Sequence, residues 1–423
     1  MTRRPSRTMP RRHDPAAVVL DELDPRGQVV QLSGAQATAL DHTGLVEVRP
    51  DGHDTWRLIP QGKVGAARIG DLQIEVQPKG KVGLAHLLFL LGYTADPGFR
   101  PELVVGKRDA QLWPALGYSL AQSVERALER GVLQGYRTAD EALRTIRGRI
   151  RFGDQISARP GLMLPIEVTH DDFTVDTAEN RILLAALSLM LGVPRLDVGV
   201  RRRLLHIVGR LEGVALLPRG AGIPDWHPSR LNGRYHGALR LAEIVLRNAA
   251  AKPGEEGIQV ASFVVTMWEV FENFVTVALA EALRTVPGRT EAQLPAYLAG
   301  GDDDWRRGTV PMQVDVVHRD ANGIPQVVFD AKYKVAPGER YGSADFYQML
   351  AYCTALDVPR AWLVYAGGYG ESQRSTYRVK NSTIEIVTCP LDLSVPPQDI
   401  LERVRSIALD ASGHVGLSVA GTT

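Results

Sequence analysis

The stretch Gln313-Val-Asp-Val-Val317, followed after a short interval by Val327-Val-Phe-Asp-Ala-Lys-Tyr-Lys334, decides how the rest of this chain reads. Both halves alternate with the two-residue period of a β-strand and are rich in β-branched and aromatic residues. Between them, Asn322-Gly323 is a strong hairpin signal, because both residues tolerate the positive φ of a tight turn. Asp315 lies seven residues before Asn322 and Asp330 seven after Gly323, so a turn at that dipeptide sets the two aspartates opposite each other. Lys332 then projects from the same face as Asp330. Like charges directly opposite destabilise a strand pair unless a cation stands between them, so the arrangement points to chemistry.

Two carboxylates and an ammonium suit metal-assisted phosphodiester cleavage. Carboxylate oxygens hold Mg²⁺, a hard ion that retains several of its waters. The bound metal lowers the pKa of a water and neutralises charge at phosphorus. The lysine can orient that water or stabilise the developing charge. The pattern Asp315…Asp330-Ala-Lys332 resembles the PD-(D/E)xK nuclease motif. That motif is short, and a charged exposed hairpin is the plain alternative, but the flanks favour the nuclease. Residues 262–283 read as an amphipathic helix with Val264, Met267, Trp268, Phe271, Val275, Ala278, Leu279 and Ala282 in one stripe. Glu269 points away from that stripe. Glu272 sits at its edge, where it can reach the sheet as a supporting acid. Residues 345–352 read as a second helix with Asp345, Gln348 and Tyr352 on one side, and 362–365 as the following strand.

A chain of 423 residues holds two or three domains. Its formal net charge of +1 excludes a global attraction to nucleic acid, so any DNA contact must be local or shared with a partner. Cys353 and Cys389 show no metal spacing and suit a reducing compartment. No apolar run reaches the length of a membrane span, and the arginine-rich first thirteen residues lack the apolar core of a secretory signal. The expectation is a cytoplasmic protein without membrane attachment.

Taken in order, residues 1–14 read as a disordered basic arm and 15–105 as a β-rich module, with strand patterns at 17–20, 44–49, 55–59 and 72–76. Lys79-Gly-Lys-Val-Gly83 lacks the spacing of a phosphate-binding loop. Residues 106–250 read as mainly helical, with helices at 113–130, near 177–191, at 201–216 and at 236–247. Within them Arg137, Arg144, Arg147, Arg149 and Arg151 form a basic stretch that is either a solvated surface or a grip for phosphates or a protein partner. His170, Asp171, Asp172 and Asp176 could suggest a metal, but a helix cap at Asp176 or Thr177 and a loop position account for most of that charge. Residues 249–257 form a seam, 251–395 the nuclease domain and 396–423 a C-terminal tail. The fold class is α+β multidomain, ending in an α/β PD-(D/E)xK restriction-endonuclease-like domain with a mixed sheet.

Several stretches together resemble the McrC family, the nuclease subunit of McrBC-type 5-methylcytosine-dependent restriction systems. They are Val76-Gln-Pro-Lys79, Ile146-Arg-Gly-Arg149, Phe173…Glu179-Asn-Arg181, Arg230-Leu-Asn232, Phe271-Glu-Asn-Phe274, Asp330-Ala-Lys-Tyr-Lys334 and Asp345-x-x-Gln348 with Tyr352, in the family's order. The chain departs from the family at Val314, where a proline often precedes the aspartate; that proline is a backbone feature and not a ligand. The resemblance implies a partner, an McrB-like AAA+ GTPase hexamer that reads modified cytosine in double-stranded DNA, while this chain docks, stimulates GTP hydrolysis and cuts.

The reading that results is an Mg²⁺-dependent DNA endonuclease subunit. Asp315 and Asp330 are its expected metal ligands, Lys332 its water-orienting group and Glu272 a supporting acid. Gln348 and Tyr352 are expected to position the scissile strand or brace Lys332. Two alternatives stand beside it. A non-catalytic GTPase-activating adaptor would need no complete Asp…Asp-x-Lys set. A stand-alone DNA repair nuclease would leave the amino-terminal residues without a purpose.

Overall fold

The computed structural model describes residues 17–78, 82–99, 112–218, 220–253, 258–301, 304–308, 310–333, 343–367 and 374–413. The basic arm at 1–14, Lys79 and Lys334 lie outside the described residues. The chain divides into two compact units, one drawn from 1–97 together with 250–423, the other from 98–249.

In the first unit a five-stranded sheet has the order Ala17–Asp21, Leu72–Gln77, Lys63–Ile69, Gln259–Thr266, Ala249–Pro253. Three of its strands come from the amino-terminal module and two from beyond residue 248. The stretch 262–266, read as the start of a helix, is strand, and the helix begins at Met267. Ser262, Phe263, Val264, Val265 and Thr266 are mostly β-branched or aromatic, and they gain a full antiparallel ladder against Lys63–Ile69. Gly65 makes that ladder possible. It adopts φ +141°, and a Cβ there would stand 1.8 Å from the carbonyl oxygen of Phe263. A three-stranded sheet (Gln28–Gln31, Thr55–Pro60, Val46–Pro50) and the helix Gly34–Asp41 complete the module.

A six-stranded sheet carries the hairpin. Its strands are β1 (Arg289–Tyr297), β2 (Pro311–Arg319), β3 (Pro325–Lys332), β4 (Arg360–Gly367), β5 (Ser375–Arg378) and β6 (Glu385–Asp392), in the spatial order β1-β2-β3-β4-β6-β5. β3, β4 and β6 run parallel and the remaining pairs antiparallel. The parallel strands are buried along their length, as strands covered on both faces must be. Helix α1 (Met267–Leu283) packs on β1, β2 and β3 and against α3 (Pro397–Ala411), which also meets β6. Helix α2 (Ser343–Leu356) sets Met349, Tyr352 and Cys353 against Val317, Val328 and Leu363. The segment read as a C-terminal tail therefore holds a helix with Ile400, Val404 and Ile407 buried. Trp268, placed in the apolar stripe of α1 from its spacing, is 49% exposed.

The second unit is helical around Leu112–Leu128, Ala178–Leu191, Val198–Arg210 and His236–Asn248. It also holds a three-stranded sheet in the order Gly135–Leu143, Ile166–Thr174, Arg149–Ile150. His170 and Asp171, read as loop residues, lie on the central strand of that sheet. Among the described residues no helix is long and apolar enough to cross a membrane.

Candidate active site

The hairpin forms, with a different turn from the one its dipeptide suggests. Asp320 accepts hydrogen bonds from the N–H groups of Asn322 and Ile324 through one carboxylate oxygen, and Gly323 takes φ +82°. A register shift at His318/Arg319 absorbs the longer loop. Beyond it the pairing runs His318↔Val327, Val317↔Val328, Val316↔Phe329, and Asp315 and Asp330 occupy the next position of each strand. The aspartates thus stand across from each other as the spacing predicts. The ladder stops there, and Asp315 Oδ2 accepts the Ala331 N–H at 2.9 Å in place of a backbone partner.

Asp330 is 1% exposed and Asp315 9%. Lys332 Nζ stands 2.8 Å from Asp330 Oδ2 as an ion pair. Burial, then the charge of Asp315, pushes the Asp330 carboxyl up to about 7 against the pull of Lys332. Burial alone would lower the Lys332 pKa; Asp330, Asp315 and Glu272 together hold it above its ordinary value. Glu272, half-buried on α1, is raised first by burial and then by Asp315 and Glu269, with Lys332 opposing. Four charged side chains therefore share one electrostatic environment. A carboxyl whose pKa is raised by burial and then by a neighbouring carboxylate gains from an added cation.

Gln348 and Tyr352 lie beside this cluster. The Tyr352 hydroxyl donates to the carbonyl oxygen of Gln313 on β2 at 2.6 Å and accepts from Gln348 Nε2 at 2.6 Å. Tyr352 is 1% exposed, and its hydrogen bond to Gln313 ties α2 to β2. Gln348 acts through Tyr352. Asp345 is buried at the start of α2. Gln293 was missed in the sequence. It is skipped by the β1–β2 pairing, sits at φ +52°, and donates from Nε2 to Asp315 Oδ1 at 3.3 Å. A left-handed glutamine within a strand has no mark in a one-dimensional pattern.

The arginines lie in the other unit. Arg137 pairs with Asp176, and Arg147 with Asp172 at 3.3 Å, while Arg144 and Arg149 are exposed. Asp176 also takes Arg181 at 2.6 and 2.5 Å and the Ala215 N–H at 2.9 Å. Among the described residues no three His, Cys, Asp or Glu side chains close around a metal. A cation at the hairpin would rest on Asp315 and Asp330 and keep waters, which suits a small hard ion.

A mixed sheet thus carries a buried acidic pair and a lysine on one hairpin, between helices of an α/β unit. Residues 58–366 match the sequence model described as McrBC 5-methylcytosine restriction system component, and the chain belongs to that family. The fold is similar to a chain of the refined half-complex from the tetradecameric assembly of Thermococcus gammatolerans McrB AAA+ hexamers with bound McrC. The TM-score is 0.58 at 17% identity, over 93% of this chain and 99% of that one. A chain of the Thermococcus gammatolerans McrBC complex aligns at 16% identity and TM-score 0.39, over 64% of this chain and 90% of that one. No curated protein matches.

Proposed function

We propose that this chain is the DNA-cutting subunit of an McrBC-like modification-dependent restriction system, an Mg²⁺-dependent endonuclease of the PD-(D/E)xK kind. The observation that carries the reading is the buried Asp315–Asp330 pair with Lys332 2.8 Å from Asp330. The buried Asp330 carboxyl, pushed up to about 7 beside Asp315, fits a divalent ion shared with Asp315. When bound, that ion supplies an activated water and neutralises charge on phosphate. Lys332 holds its proton and presents a positive charge at the site, where it can orient the attacking water or meet the developing phosphate charge. Glu272, with its proton affinity raised, is suited to accept a proton from water. Gln293 orients Asp315, and Tyr352 with Gln348 fixes the strand that bears it.

The partner in this reading is an AAA+ GTPase hexamer, since the chain of similar fold comes from an assembly of McrB AAA+ hexamers with bound McrC. Docking belongs to the second unit. Tyr136 (79% exposed) lies 5.1 Å from Phe173 with the rings inclined at 51°, and Phe152, Ile156 and Met163 are exposed apolar side chains of the same unit. Plasmid with and without methylcytosine, incubated with Mg²⁺, the partner and GTP, tests the whole reading. Cutting is expected with wild type and not with Lys332→Ala or Asp330→Asn, while all three stimulate the partner's GTPase alike. Undiminished cutting by Lys332→Ala overturns the site; stimulated GTPase without any cutting leaves only a regulatory subunit.

A further inference from the structure

Tyr333 follows Lys332 directly. Its hydroxyl donates at 2.9 Å to Oε2 of Glu22, which lies 311 residues earlier in the turn after Ala17–Asp21. Glu22 is 1% exposed, and its own N–H donates to the carbonyl oxygen of Gln77 at 3.0 Å, so it is fixed to two strands of the five-stranded sheet. The Tyr333 ring also lies 5.9 Å from that of Phe271, inclined at 49°, and Phe271 precedes Glu272 on α1. Helix α1 is tied to the same sheet at its other end, for it continues Gln259–Thr266 and its Met267 N–H reaches the carbonyl oxygen of Gly62 at 3.4 Å.

We propose that Glu22 is a positioning residue for Lys332: through Tyr333 the five-stranded sheet pins the end of β3 and keeps the ammonium against Asp330. This rests on the nuclease reading of Lys332. β3 makes its last pairing at Lys332↔Tyr365, and a terminal strand residue frays unless something beyond it is held. A lysine on a four-carbon stem has many rotamers, so the backbone that launches it must be still for the ammonium to act at one place. Tyr333 supplies that anchor, and a buried carboxylate is a stronger acceptor for it than a neutral group.

The test reads Lys332 directly, in the full chain, without metal, DNA or partner. Acetic anhydride at trace concentration labels lysine amines at a rate set by access and environment, and mass spectrometry reports the rate at each lysine. Tyr333→Phe keeps the ring and loses the hydrogen bond; Glu22→Ala loses the acceptor; Glu22→Gln retains one. Lys332 is expected to label about tenfold faster in the first two variants, with Lys63 unchanged and Glu22→Gln close to wild type. Under the cleavage conditions above, kcat falls by about tenfold with KM for DNA unchanged, within the range that a displacement of about 1 Å produces. Equal Lys332 labelling in Tyr333→Phe and wild type overturns the proposal. So does parallel acceleration at Lys63, which marks general loosening. If Lys332→Ala cuts normally, the nuclease role of Lys332 fails instead, and the labelling still decides whether Glu22 places it.

Discussion

At the scale of single residues, Asp315, Asp330 and Lys332 were legible because strand alternation and a hairpin dipeptide determine which side chains share a face. Gln293 was not, since its contact with Asp315 depends on a backbone angle that glutamine seldom adopts. That conflict gives a prediction. Gln293→Gly should raise the thermal midpoint, by relief of about 1 kcal/mol of left-handed backbone strain, and yet lower the cleavage rate several-fold by freeing Asp315. A midpoint that falls would show that the amide contact outweighs the strain. Asp176 gives a second. The Arg181 hydrogen bonds, against the cost of burial, hold its carboxyl down to about 2 from an ordinary 3.8. A depressed carboxyl stabilises fully above the unfolded value and loses that contribution as pH falls through the folded one. Asp176→Asn should therefore cost about 2 kcal/mol at pH 7, and the gap to wild type should close between about pH 4 and pH 2 in urea titrations.

At the scale of elements, helices with a long apolar stripe were read to within a few residues, as for His236–Asn248 and Leu112–Leu128. Shorter apolar runs misled. Residues 262–266 carry spacing that suits a helix or a strand, and only the distant Lys63–Ile69 strand decides between them. Tertiary pairing overrode local pattern there, and it depends on Gly65. Gly65→Ala should cost at least about 2 kcal/mol, because the backbone conformation and the close Phe263 carbonyl both reject a Cβ. The loss should appear as faster hydrogen exchange along Gln259–Thr266 and the first turn of α1. Unchanged exchange would mean that the ladder does not hold the helix that carries Glu272.

At the scale of the whole molecule, the division into two units could not be read from composition, because the first unit is made of two sequence segments that meet only after folding. The amino-terminal strands look like a module on their own; the strand that completes their sheet comes much later in the chain. Separate cores should melt separately. Scanning calorimetry should resolve two transitions, with Asp176→Asn lowering one and Gly65→Ala the other. A single transition shifted by both variants would show that the units unfold together.

The late arrival of Gln259–Thr266 has a consequence for the ribosome. After Gln77 is made, the whole of the second unit must be translated before the five-stranded sheet can close. At about 5–20 residues per second that interval is on the order of ten seconds or more. During it Lys63–Ile69 waits as an unpaired edge, buried along its length in the finished protein, the kind of surface that recruits other chains. A nascent chain halted between the two segments is thus a natural client for a holding chaperone, and prompt synthesis of the second half protects the first.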